Sequence, residues 1–260
     1  MLKPYTVILK KVGETPLQAL EAFRGKEHIA AEVPLTYAGR LDTMAEGKLI
    51  VLSGDECKKK EVYNGLDKEY IFEILLGFTS DSQDVLGIVE EVKKEESFSE
   101  KEIRKATRSF LGKNTFPYPA FSAKKVDGKQ MFEHAKEGTL SDIEIPTKES
   151  VIYSLGYSGK QVRSLQSVIN EALAKIDASQ GGDFRKEEIR AHWEKLRTLE
   201  KKYVMIFKFK TIVSSGTYIR TLAPLIAQAL GVGGLVYSLS RTKIGRYVPL
   251  GTFGFWRKNF

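Results

Sequence analysis

Residues Tyr203-Val-Met-Ile-Phe-Lys-Phe-Lys210 alternate apolar and polar positions, and the pattern runs on to Val213. An extended chain places every second side chain on one face, so this run reads as a strand with one side against a core. Ser214-Ser-Gly-Thr-Tyr-Ile-Arg220 follows it and leads into an apolar, helix-period stretch from Leu222 to Leu230. Arg220 is therefore expected at a strand-to-helix junction, a place where side chains are held rigidly yet reach the end of a sheet.

Weaker alternation marks further strands at Tyr5 to Val12, Tyr70 to Gly77, Ile88 to Val92 and Val151 to Tyr157. Helical spacing occurs at Leu17 to Phe23 and at Ser99 to Leu111, the latter behind a Ser-Glu-Lys-Glu start that suits an N-cap. Strands and helices intermix without a regular βαβ repeat, which predicts an α+β fold: a mixed, largely antiparallel sheet flanked by helices. At 260 residues and 42% hydrophobic content, the chain has enough apolar material for one large or two small domains.

The stretch from Gly159 to Lys202 has its own character. Val162, Leu165, Val168, Ile169, Ala172, Leu173 and Ile176 share one helical face, Ser179-Gln-Gly-Gly182 interrupts it, and a second helix runs from about Asp183 through Ile189, Trp193, Leu196 and Leu199. This predicts a helical hairpin inserted between two strands. Lys160, Arg163, Arg185, Lys186, Arg190 and Lys195 lie in the same stretch. A packing ornament and an RNA clamp or partner surface are both compatible with that composition.

Basic residues outnumber acidic ones 41 to 33, a formal charge of +8. Such an excess suits a polyanionic partner through phosphate contacts and counterion release, and also suits a merely soluble surface. Cys57 is the only cysteine, so an intramolecular disulfide and a thiolate zinc cluster are excluded. No apolar stretch approaches a membrane span, and the N-terminus lacks a signal-peptide layout, so a cytoplasmic location is expected. His28, His134 and His192 are far apart, and no metalloprotease, Walker or dinucleotide motif is present. Neither a metal nor another cofactor is expected.

The segment Tyr37-Ala-Gly-Arg-Leu-Asp42-Thr-Met-Ala-Glu-Gly47 sets Asp42 between flanking glycines, just ahead of Leu49-Ile-Val-Leu52. Glycines on both sides permit positive φ and close approach of a ligand to the backbone, as a catalytic loop needs. The same residues also fit an Asp that bonds its own turn.

With Lys68-Glu-Tyr70, Phe121-Ser-Ala-Lys-Lys-Val-Asp-Gly128, the Ser214 to Arg220 segment and Leu239-Ser-Arg-Thr-Lys-Ile-Gly245, this loop resembles the TruB family of pseudouridine synthases, in order and over roughly residues 36 to 138 and 203 to 250. The resemblance implies the pseudouridine synthase catalytic fold as one domain over residues 1–260, with residues 159–202 as an insertion and without the C-terminal PUA domain common in the family. It implies isomerisation of the T-loop uridine of tRNA with no cofactor, by a monomer. The alternatives are a pseudouridine synthase with another RNA target, a non-catalytic RNA-binding or RNA-folding protein on this scaffold, and a glycosidase-like enzyme, for which Glu46 and Asp84 are available as a second carboxylate.

In the same way the resemblance assigns roles to residues. Asp42 is the catalytic acid. Arg220 is its guanidinium partner and faces the substrate, because a carboxylate beside an uncharged base needs a cation to stay ionised. Tyr70 is the ring that stacks on the flipped uracil, and Leu239 closes its apolar side. Tyr37 stands where the family usually carries His, and Arg40 where it carries Thr; Tyr37 is expected to stack within the opened loop. Lys68, Lys124, Lys125, Arg241 and Lys243 are the expected RNA contacts, mostly to phosphates.

Overall fold

The computed structural model describes residues 3–92, 97–180, 185–251 and 253–260. In chain order its elements are β1 (Tyr5–Lys10), α1 (Pro16–Lys26), β2 (Leu35–Ala38), β3 (Glu46–Ser53), α2 (Lys60–Asn64), β4 (Asp67–Leu76), β5 (Phe78–Ser80), β6 (Val89–Glu91), α3 (Glu100–Arg108) and β7 (Gly112–Pro117). There follow β8 (Lys125–Val126), β9 (Lys129–Gln130), α4 (Met131–Glu137), β10 (Thr147–Ser164), α5 (Leu165–Ala178), α6 (Lys186–Lys195), β11 (Tyr203–Val213), α7 (Ile219–Ala229), β12 (Gly234–Leu250) and β13 (Phe253–Asn259).

A nine-stranded sheet in the order β1-β3-β12-β4-β11-β10-β7, with β2 added on β3 and β13 on β12, organises the chain. Its pairs are antiparallel except β12 with β3, which run parallel over Ser240–Arg241 and Glu46–Gly47. Gly47 makes that parallel contact possible. Its φ is +113°, and a Cβ there would stand 2.3 Å from the Arg241 carbonyl oxygen.

The alternation at 203–213 is β11 to the residue. Its inward side chains, with those of β4, make the centre of the core, where Phe72 and Phe209 stack at 5.4 Å between ring centroids. Leu222 and Ile226 of α7 are fully buried in the same cluster. The capping signals hold locally: Thr15 with Gln18 and Ser99 with Glu102 form reciprocal capping boxes on α1 and α3.

One strand has no counterpart in the sequence reading, and one boundary moves. The long strand β12 has no alternation to announce it, because Gly234 to Leu239 is buried at nearly every position. The residues from Gly159 to Ser164 belong to β10 and pair with β11 beyond a bulge between Tyr157 and Gly159, so the helical hairpin between these strands starts at Leu165. Its helices α5 and α6 bury Leu165, Val168, Ile169, Ala172, Leu173, Ile176, Ile189 and Trp193 in the main cluster. Gly181 and Gly182 of the expected break, and Asp183 at the expected start of the second helix, lie outside the described residues.

Candidate active site

Asp42 sits on the loop from β2 to β3, on a turn closed by the Ala45 N–H donating to its carbonyl at 3.1 Å. Arg220 is the second residue of α7, 178 positions away, and meets it in a two-point fork: Nε donates to Oδ2 at 2.7 Å and Nη2 to Oδ1 at 3.1 Å. The Asp42 side chain keeps 27% of its surface exposed, while that of Arg220 keeps 5%. The rest of the guanidinium is also held, by Nη1 donating to the Ser82 carbonyl at 3.2 Å and Nη2 to the Phe121 carbonyl at 3.1 Å.

A second carboxylate stands behind the pair. Asp84 Oδ2 lies 3.6 Å from Arg220 Nε, and Oδ1 accepts from the Ser82 hydroxyl and the Leu86 N–H, both at 2.8 Å. Burial pushes the Asp84 carboxyl up to about 6, against the pull of Arg220. For Arg220 burial alone would disfavour the charge, but Asp42 and Asp84 outweigh it and hold the guanidinium above its ordinary value.

The backbone of the Asp42 loop is held from beneath by buried cations. Arg241 is 1% exposed and donates to the carbonyls of Lys48 at 2.8 Å, Arg40 at 3.2 Å and Gly39 at 2.8 Å. Lys10, equally buried, donates to the Ala45 carbonyl at 2.7 Å; burial pushes its ammonium down to about 8 despite the nearby Glu14 and Asp42. Lys68 donates to the carbonyls of Asn64 at 2.7 Å and Leu66 at 2.5 Å, and burial, aided by the charge of Arg241, pushes it down to about 7. Asn64 in turn accepts the Gly39 N–H at 2.7 Å.

Beside this loop opens a cleft of about 660 Å³ lined by Tyr37, Gly39, Arg40, Lys60, Tyr118, Lys124 and Tyr218, among others. The Lys60 ammonium sits 5.1 Å from the Tyr37 ring centroid and that of Lys124 sits 5.4 Å from Tyr118. Tyr118 meets Tyr218 edge-on at 5.5 Å. Burial, then the Asp42 charge, raise the Tyr218 hydroxyl above its usual range.

Several expected residues therefore converge here and others do not. Tyr70 is 7% exposed on β4 and does not line this cleft; it and Leu239, opposite Phe72, belong to the main core cluster, which also takes in Leu41, Met44 and Ala45 of the Asp42 loop. Lys124 and Lys125 are exposed, as phosphate contacts must be. Lys68 and Arg241, expected to face RNA, are instead buried and donate to backbone carbonyls, because a buried cation must find acceptors inside the protein. Lys243 is half-buried and pairs with Glu69 at 3.3 Å.

The sequence reading missed Lys10, Asn64, Ser82, Tyr118 and Tyr218 as parts of the site. A lysine inside an alternating strand was the one visible signal for Lys10, and Tyr218 stands in the Arg220 segment itself.

The fold has counterparts among known proteins. The structure resembles that of a Cbf5–Nop10–Gar1 complex, with a TM-score of 0.54 and 18% identity over 92% of this chain and 48% of that one. It also resembles an H/ACA RNP bound to a substrate RNA containing 2′-deoxyuridine, with a TM-score of 0.51 and 16% identity over 92% of this chain and 47% of that one. The fold is that of the pseudouridine synthase catalytic region. The family profile described as "TruB family pseudouridylate synthase (N terminal domain)" matches residues 28–181, and the chain belongs to that family.

Among relatives, a tRNA pseudouridine synthase B of Lactococcus lactis subsp. lactis is 28% identical over 90% of this chain and 60% of its own length. Another, of Flavobacterium johnsoniae, is 29% identical over 81% of this chain and 73% of its own. The chain thus spans only part of the length of these relatives.

Proposed function

We propose that this protein is a cofactor-free pseudouridine synthase that isomerises the T-loop uridine of tRNA, position 55, with Asp42 as the reacting carboxylate. The observation that carries the reading is the fork between Asp42 and Arg220 beside an aromatic cleft with lysines over two of its rings. Isomerisation breaks the bond from C1′ to N1, turns the uracil in place, and rejoins it through C5; the C5 proton leaves and N1 gains one. An oriented carboxylate serves each route to this outcome, by adding to C1′ or C6 or by taking a sugar proton to form a glycal.

The surroundings support that role. Arg220 fixes both oxygens of Asp42 in one plane, so the acid is oriented before substrate arrives. Tyr70 supplies the stacking face for the extruded base, worth roughly 1–3 kcal/mol. Tyr37, Lys124 and Lys125 meet the RNA. Among the described residues no helix is long and apolar enough to cross a membrane, and a tRNA substrate puts the work in the cytoplasm. Asp84 is disfavoured as the second carboxylate of a glycosidase because it is buried behind Arg220.

Incubation of the purified protein with unmodified tRNA, followed by nucleoside mass spectrometry and position mapping, tests the proposal. Pseudouridine in the T-loop is expected. Binding with no product identifies an RNA-binding protein, an abasic product a glycosidase, and pseudouridine at another site a different target.

A further inference from the structure

The α5–α6 hairpin touches three of the groups that position Asp42 and Arg220. The Trp193 indole N–H, fully buried on α6, donates to the Val85 carbonyl at 3.1 Å, one residue from Asp84. On its other side this loop is tied to β12, where Val85 N–H donates to the Val236 carbonyl and Val236 N–H to that of Gln83. Arg185 pairs with Asp81 of the same loop at 2.8 Å and lays its guanidinium 4.8 Å from the ring centroid of Phe121, whose carbonyl accepts from Arg220. Just beyond α5, the Gln180 N–H donates to the Gly13 carbonyl at 2.8 Å, and the Gly13 N–H donates to that of Thr43, next to Asp42, at 2.9 Å.

The three arginines of the hairpin each have a carboxylate partner within the protein: Arg185 pairs with Asp81, Arg190 with Asp177 and Arg197 with Glu194. Of these pairs, that of Arg185 reaches the Asp81–Ile88 loop.

We infer that the hairpin is a brace for the reaction centre, with Trp193 and Arg185 as positioning residues that hold the Asp81–Ile88 loop and Phe121 around Arg220. The inference rests on the pseudouridine synthase reading. Without the brace, the acceptors of Arg220 shift, the fork to Asp42 loses its alignment, and the rate of the chemical step falls while RNA affinity stays.

Trp193→Phe keeps an apolar ring but removes the donor and some buried volume, so its stability is measured alongside. Arg185→Asn removes the ion pair and the stacking while tolerating the left-handed backbone of Arg185, φ 51°. Each full-length variant is compared with wild type under single-turnover conditions with saturating enzyme, the rate being expressed per molecule competent to bind tRNA, and affinity is measured in parallel. A rate reduced about tenfold or more in either variant at unchanged affinity is expected, since small misplacements of reacting groups cost about that much or more. Rates within a few-fold of wild type in both variants, or a loss confined to affinity, overturn the brace. Should Trp193→Phe fail to fold, Arg185→Asn decides alone. A wild-type protein that makes no pseudouridine would strike the functional reading itself, which separates the two failures.

Discussion

Asp42 and Arg220, far apart in the chain, share two hydrogen bonds at 2.7 and 3.1 Å, with Asp84 a further 3.6 Å contact on the same guanidinium. The arrangement gives a buried cation two anionic neighbours, of which only Asp42 keeps appreciable exposure. One carboxylate is buried with the cation and the other keeps an open side.

Asp42→Asn removes the acid proposed to react and keeps its shape. Turnover on tRNA is expected to fall by at least about a thousandfold, with tRNA affinity changed less than about threefold, since phosphate contacts lie elsewhere. Single-turnover assays beside filter binding check this. Retained turnover would remove Asp42 from the chemistry.

At Tyr70, Phe keeps the stacking face and Leu does not. Tyr70→Leu is expected to slow the reaction by about tenfold or more relative to Tyr70→Phe, in line with roughly 1–3 kcal/mol per stacked base. Equal losses in the two variants would assign the role to the hydroxyl instead.

Arg241 and the pair Lys124 and Lys125 are expected to separate cleanly. Arg241→Met leaves the carbonyls of Gly39, Arg40 and Lys48 without this donor and should destabilise the fold by about 3 kcal/mol in urea titrations, with the salt dependence of tRNA binding unchanged. Lys124→Ala and Lys125→Ala should leave stability alone and each lower the slope of log K against log salt by about one. A reduced slope in Arg241→Met, with normal stability, would restore it to the RNA surface.

Lys68 makes a pH-dependent contribution whose sign follows from its environment. Its folded value of about 7 lies below the ordinary lysine value of 10.5, so between these limits the unfolded chain binds more protons than the folded one. Stability therefore rises with pH across that window. The difference in unfolding free energy between wild type and Lys68→Met should shift in favour of wild type from pH 7 to pH 10, measured by urea titration at each pH. A flat or opposite trend would show that Lys68 is not desolvated.

Local patterns reached a good part of this molecule. The alternation of 203–213 was enough to place β11, the Ser99 and Glu102 pair marked the start of α3, and the glycines around Asp42 marked a loop whose backbone needs freedom. Arg220 was legible at its strand-to-helix junction because turn and helix signals are short-range. Lys68 and Arg241 were misread because a cation in a motif looks the same whether it faces phosphate or a buried carbonyl.

What the sequence alone determined is therefore the class of fold, the family and the positions of Asp42 on a glycine-flanked loop and Arg220 at a strand-to-helix junction, since these depend on periodicity and on short motifs read in order. Only the tertiary structure decided which cations are buried supports and which remain exposed, that Asp84 backs Arg220, and that the α5–α6 hairpin leans on the loops around it. Those outcomes depend on burial and on contacts between residues tens to nearly two hundred positions apart, which no local pattern encodes.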